Sequence, residues 1–232
     1  MKEWSEILLI DKPAGITSFD VIRCLRKIYS ESHSGEKAPK MGHAGTLDPL
    51  ATGLMIIGVG AGTKKLQEYI KLDKEYMAEV LLGERRTTGD MEGEVTDEKA
   101  VVEAVEILRS KISTALKDMK SILTLPVSAY SAIKKDGVPM YKRARASEKK
   151  GEEVSEVPMR DMTVYEAELL DIKSRDGKAV ATVRFYVASG TYIRSLGEEL
   201  GRRLGYPATL KSLRRTKVGE FDIKDAVPLE DI

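Results

Sequence analysis

Residues 178–188 (KAVATVRFYVA) put Ala181, Val183, Phe185 and Val187 on one face of an extended chain and Thr182, Arg184 and Tyr186 on the other. Alternation with period two demands a strand buried on one side and polar on the other, the pattern of antiparallel sheets; strands of an all-parallel sheet are buried on both faces. A helical stripe follows at once, with Ile193, Leu196, Leu200 and Leu204 introduced by Ser189-Gly190-Thr191 and ended by Gly205-Tyr206-Pro207. Upstream, strands are expected at residues 6–10, 54–59, 74–82 and 162–173, and helices over 17–28, 63–70 and 97–116. Thr17 with Asp20 has capping-box spacing, and Asp97 and Glu98 suit the first turn of the third helix. Residues 210–221 close the core. Elements in this irregular order specify an α+β fold with a mixed, largely antiparallel sheet.

With 232 residues, 42% of them hydrophobic, the chain can fill the core of one domain, expected over residues 1–232. Residues 30–40 (SESHSGEKAPK) read as a mobile loop, and 122–160 as a long, irregular, basic insertion. No apolar run is long enough to cross a bilayer and the N-terminus lacks a cleavage pattern, so a cytoplasmic protein is expected. The single cysteine, Cys24, excludes an internal disulfide and is expected in the core; with His33 and His43 it makes too few soft ligands for a structural zinc site. Neither a metal nor a cofactor is expected. A monomer is, since no sustained heptad is visible. The net charge of +1 announces no polyanion partner, yet Arg194, Arg202, Arg203, Lys211, Arg214, Arg215 and Lys217 gather near the C-terminus.

Gly58-Val59-Gly60-Ala61-Gly62-Thr63-Lys64-Lys65 resembles a phosphate loop only superficially. The order Gly-Thr-Lys is wrong for that loop and the third glycine of a dinucleotide site is missing, so a close-packed strand-to-helix turn is expected. Residues 42–53, GHAGTLDPLATG, carry more chemistry. Asp48-Pro49 alone could merely start a turn. Three glycines that allow tight folding, with Pro49 stiffening the chain beside it, aim the lone Asp48 carboxylate, which suits a nucleophile or a general base.

This stretch resembles the catalytic motif of the TruB family of tRNA pseudouridine synthases, and other blocks follow in family order from residue 11 to about 221. Asp11-Lys12-Pro13-Ala14-Gly15-Ile16-Thr17-Ser18 is similar to the family's DKPxGxTS, and Lys74-Glu75-Tyr76 with Leu82-Gly83 to its KxY…LG. Tyr130-Ser131-Ala132-Ile133-Lys134 with Gly137 and Tyr141…Ala144-Arg145 resembles YSAxK…G…YxxAR; residues 190–196 resemble GTYIRxL, and Leu213-Arg214-Arg215-Thr216 resembles LRRT. The pattern departs at Leu125-Pro126-Val127-Ser128-Ala129, where the family has a Gln and a Pro pair, and at Arg86-Thr87-Thr88-Gly89-Asp90, where it has TDTxD.

The resemblance implies the pseudouridine synthase fold, its central sheet flanked by helices, with residues 125–160 as an inserted, thumb-like RNA-binding loop and no C-terminal PUA domain. It implies an isomerase acting on uridine at position 55 in the T-arm stem-loop of tRNA. By that likeness Asp48 is the catalytic aspartate, adding to the substrate or assisting C2′ deprotonation. Tyr76 stacks on the target base, Arg194 pairs with Asp48 and keeps it ionised, Tyr192 handles a proton, and Leu213 walls the pocket. His43 inserts into the RNA loop. Gly42, Thr46 and Leu47 beside it, with Lys12, Lys134, Arg145 and Arg214, are expected to touch RNA. Without the ordered blocks, Tyr76 would read as strand core, Arg194 as surface charge and His43 as a satisfied loop histidine. Two other functions fit the same blocks: a relative acting on a different RNA, and a non-catalytic tRNA-folding (chaperone) module.

Overall fold

The computed structural model describes residues 4–131, 133–135, 137–148 and 157–232, excepting the side chains at 134, 135, 141, 145 and 148. The elements begin with β1 (Ile7–Lys12), α1 (Ser18–Ser32), β2 (Met41–His43), β3 (Thr52–Val59), α2 (Leu66–Ile70) and β4 (Lys74–Leu82). Next come β5 (Glu84–Arg86), β6 (Val95–Glu98), α3 (Val105–Asp118), β7 (Ile122–Pro126), β8 (Lys134–Lys135), β9 (Val138–Pro139) and α4 (Met140–Glu148). β10 (Met159–Arg175), β11 (Lys178–Val187), α5 (Ile193–Leu204), β12 (Ala208–Val218), β13 (Phe221–Asp222) and β14 (Val227–Pro228) follow. Antiparallel pairs (β1/β3, β2/β3, β7/β10, β12/β13) outnumber the parallel pairs β3/β12 and β1/β14, so the fold is the expected α+β type with a mixed sheet.

The chain divides into two compact units, the first made of Met1–Met77, Tyr186–Ser189 and Ser212–Ile232. Here β1 lies antiparallel to β3 with Ile10 opposite Met55, and β2 flanks the same strand with His43 opposite Ile57. Ala44, Leu54, Ile56, Leu66 and Val218 form a buried cluster under Ile7, Leu9, Tyr69 and Phe221. Thr17 caps α1 in a full capping box with Asp20, as its spacing predicts. The glycine turn after β3 is a 3-10 segment, Gly60–Lys64. A Cβ on Gly58 would stand 2.9 Å from the Gly62 backbone, so that turn packs without room for a side chain.

The second unit is Ala78–Phe185 with Gly190–Lys211. β11 buries Ala181, Val183 and Phe185 as its alternation predicts, and it is joined to β10 by Asp176-Gly177, both at positive φ, the backbone of a tight hairpin turn. α3 buries Leu108, Ile112 and Leu116, and α5 buries Ile193, Leu196 and Leu200. α5 ends at Gly205 with φ +76°, where the Tyr206 N–H donates to the Gly201 carbonyl at 2.9 Å.

Four expectations need correction. Asp97 and Glu98 lie in β6, because β5 and the carbonyls of Gly83 and Gly177 take the hydrogen bonds of residues 97–101, and the helix starts only at Val105. Cys24 is exposed: it stands one residue, about 100° of helix, from buried Leu25. α1 continues to Ser32, into the expected loop at 30–40. The stretch 122–160 is not irregular throughout. β7 pairs with β10, Leu125 opposite Arg160, a partner too distant in sequence for local pattern to reveal, and α4 lies between them in the chain. Residues 132, 136 and 149–156 of that stretch lie outside the described residues.

Among the described residues no helix is long and apolar enough to cross a membrane, and no cluster of three or more His, Cys, Asp or Glu side chains is placed to hold a metal ion.

Candidate active site

The first unit holds the Asp48 loop, which runs from the end of β2 to the start of β3. Its backbone is gripped by residues that lie before and long after it in the chain. The Ser18 hydroxyl, buried at the start of α1, donates to the Leu47 carbonyl (2.9 Å) and accepts from the Leu47 N–H (2.8 Å). The Gly15 N–H donates to the Pro49 carbonyl at 2.8 Å, and the Ala51 N–H to the carbonyl of Asp48 itself at 3.1 Å. From β12, Arg215 Nη2 reaches the Gly45 carbonyl at 3.2 Å. Asp48 is thus a half-buried carboxylate on a backbone tied on either side.

Lys12, expected to touch RNA, is instead wholly buried. Its ammonium donates to the carbonyls of Pro13 (2.8 Å), Ile16 (2.7 Å) and Pro49 (3.3 Å), so it braces the Asp48 turn from below and offers no charge to a phosphate. Lys12→Met should therefore destabilise the fold by about 3 kcal/mol, since carbonyls bonded to a cation lose their partner. The slope of RNA affinity against salt should stay unchanged. Urea unfolding and binding titrations at several salt concentrations check both.

The remaining expected residues of this unit are spread along the same elements. Gly42 and His43 end β2, Leu47 is buried and Thr46 exposed. Tyr76 is buried on the inner face of β4, which it shares with Lys74 and Ala78. Leu213 is buried in β12; next to it Arg214 makes a bidentate pair with Asp11 (3.1 and 2.6 Å) beside a 620 Å³ cavity that also takes in Thr52, Lys27 and Cys24. Burial, and then the charge of Arg215, lower the His43 pKa below its ordinary 6.5, against a carbonyl contact from Gly45 that raises it. Both lowering effects favour the neutral imidazole. Lys74 is lowered from 10.5 to about 8, by burial first and Arg215 second, with Asp73 opposing; its ammonium bonds the carbonyls of Ile70 (2.6 Å) and Leu72 (2.5 Å).

The second unit holds Arg194 and Tyr192. Tyr192 is half-exposed at the N-cap of α5 and the buried Arg194 lies in its first turn. Nη1 of Arg194 donates to the Thr88 carbonyl (2.9 Å) and to the Ser128 hydroxyl (3.1 Å), Nη2 to the Tyr130 carbonyl (3.3 Å), and Asp90 stands 3.5 Å away as an ionic partner. Burial pushes the nearby Glu198 carboxyl above the usual range, Asp90 adds to this, and Arg85 and Arg194 oppose it. Lys134 and Arg145 belong to β8 and α4, and their side chains lie outside the described residues.

Sequence reasoning passed over Ser18, Arg215 and Asp90. The first two stand inside quoted motifs, DKPAGITS and LRRT, and their grip on the Asp48 loop depends on chain crossings that no local pattern encodes.

A family model described as TruB family pseudouridylate synthase (N terminal domain) matches residues 31–193, and one described as tRNA pseudouridylate synthase B C-terminal domain matches 194–232. The tRNA pseudouridine synthase B of Corynebacterium diphtheriae is 39% identical over 228 residues, 98% of this chain and 72% of that protein. Its counterpart in Leifsonia xyli subsp. xyli is 40% identical over 222 residues, 96% of this chain and 70% of that protein. Among solved structures, a chain of a Cbf5-Nop10-Gar1 complex matches with a TM-score of 0.68 at 27% identity, and one of an H/ACA RNP bound to a substrate RNA containing 2′-deoxyuridine with 0.66 at 26%. Each match covers 97% of this chain, which spans about half of either solved chain (52% and 51%).

Proposed function

The chain belongs to the TruB family of pseudouridylate synthases, enzymes that isomerise uridine to pseudouridine, and we propose that its substrate is the uridine at position 55 in the T-arm loop of tRNA. The observation that carries this reading is the Asp48 loop itself. A single carboxylate is held by backbone anchors from Ser18, Gly15, Lys12 and Arg215, more fixing than a surface turn requires.

Pseudouridylation breaks the N1–C1′ bond, rotates the uracil and joins C5 to C1′. The C5 proton leaves to solvent and N1 regains one, so no redox partner is consumed. A base inside a folded loop is out of reach of any side chain until it is turned out of the stack. His43, at the end of β2 where the loop begins, enters the space the base vacates. Tyr76 offers a ring to stack on, and Leu213 excludes water beside it. Asp48 then acts as an anion, and Arg194 favours that ionised form. Tyr192 is assigned to proton handling. Gly42, Thr46, Leu47, Lys134, Arg145 and Arg214 contact the RNA, with residues 125–160 as the segment that grips it. The enzyme is proposed to act as a cytoplasmic monomer.

Release of tritium from [5-³H]uridine in a T-arm stem-loop tests this. One tritium per stem-loop is expected, and none from a stem-loop carrying cytidine at position 55. Binding without release would move the protein to another RNA or to the folding-module reading.

A further inference from the structure

Arg215 is buried to 1% exposure and touches both ends of the Asp48 loop. Its side chain reaches both: Nη2 donates to the Gly45 carbonyl at 3.2 Å and Nε to the Leu54 carbonyl at 2.7 Å. Its backbone reinforces the second end, lying opposite Gly53 in the parallel β3/β12 register, so close that a Cβ on Gly53 would stand 2.8 Å from the Arg215 nitrogen. Among the described residues Arg215 forms no ion pair. An unpaired buried guanidinium is a costly way to join two carbonyls, and a planar fork with fixed donor directions is the feature that a lysine lacks.

We infer that Arg215 is a positioning residue for the reaction: by closing the loop from residue 45 to residue 53 it sets where Asp48 and His43 point. This rests on the reading of Asp48 as the catalytic carboxylate. The same buried charge is felt at His43 on β2 and at Lys74 on β4, whose protonation it disfavours. His43 also meets the Gly45 carbonyl from its own loop.

Two variants separate geometry from charge. Arg215→Lys keeps the charge and loses the fork; Arg215→Gln loses both. In each, kcat for tritium release should fall about 100-fold, the effect of an angstrom-scale misplacement, with KM little changed. The imidazole titration of His43, followed by NMR with His33 as internal reference, should move up toward 6.5 in Arg215→Gln and stay low in Arg215→Lys. A folded Arg215→Lys protein with unchanged kcat overturns the inference, as does an unmoved His43 titration in Arg215→Gln. Failure of both variants to fold, seen by thermal melting, also overturns it and leaves Arg215 a structural strut. An inactive wild type would instead sink the underlying functional reading, while the histidine titration would still report on Arg215.

Discussion

Asp48→Asn is expected to lower the rate of tritium release by on the order of 10³-fold or more, with T-arm stem-loop affinity changed only a few-fold. Asparagine has the shape of aspartate without its charge, and both routes open to the reaction need the anion. The anchors described above hold the loop by its backbone, at Gly45, Leu47, Pro49 and the Asp48 carbonyl, so the substitution leaves the scaffold in place. Stability should stay within about 1 kcal/mol. Single-turnover rates and a binding titration on the same RNA separate the two quantities. Equal rates for variant and wild type would show that the carboxylate is a turn-former and nothing more. A protein that only folds tRNA would keep its effect on tRNA folding in this variant.

The largest effect on stability is expected from Gly53→Ala. Gly53 has φ +106°, and an added Cβ would lie 2.8 Å from the Arg215 nitrogen and 3.0 Å from its carbonyl carbon, so the obstacle is backbone and not a side chain that can swing away. Strain at a left-handed φ and collision between paired strands together should destabilise the fold by about 3 kcal/mol or more. Gly15→Ala is the control. Gly15 has φ +85° with nothing within 4 Å of the added atom, so only the conformational strain remains and about 1 kcal/mol is expected. Urea unfolding of the two variants measures the difference. Equal losses would mean that β3 and β12 can separate without penalty.

What could be read from the sequence was whatever a short window encodes. The alternation of β11, the capping box at Thr17 and the apolar stripe of α5 each declare themselves within a few residues, and the ordered motifs singled out Asp48 as the carboxylate to propose. What could not be read depends on a distant partner. β7 is a strand because β10 lies beside it, and Asp97 and Glu98 are extended because β5 and Gly177 capture the backbone around them. Lys12 illustrates the same limit for a site. Its charge reads as a phosphate contact, and only the carbonyls of Pro13, Ile16 and Pro49 show it to be an internal brace.

The Asp48 loop draws its supports from residues 12–18 and from residue 215, segments separated by almost the whole chain. A growing polypeptide carries the loop long before it carries the strand that closes it. The proposed placing of Asp48 is therefore complete only when β12 docks against β3. A fragment that stops before residue 208 would contain the whole motif and lack the Arg215 contacts that tie its two ends together.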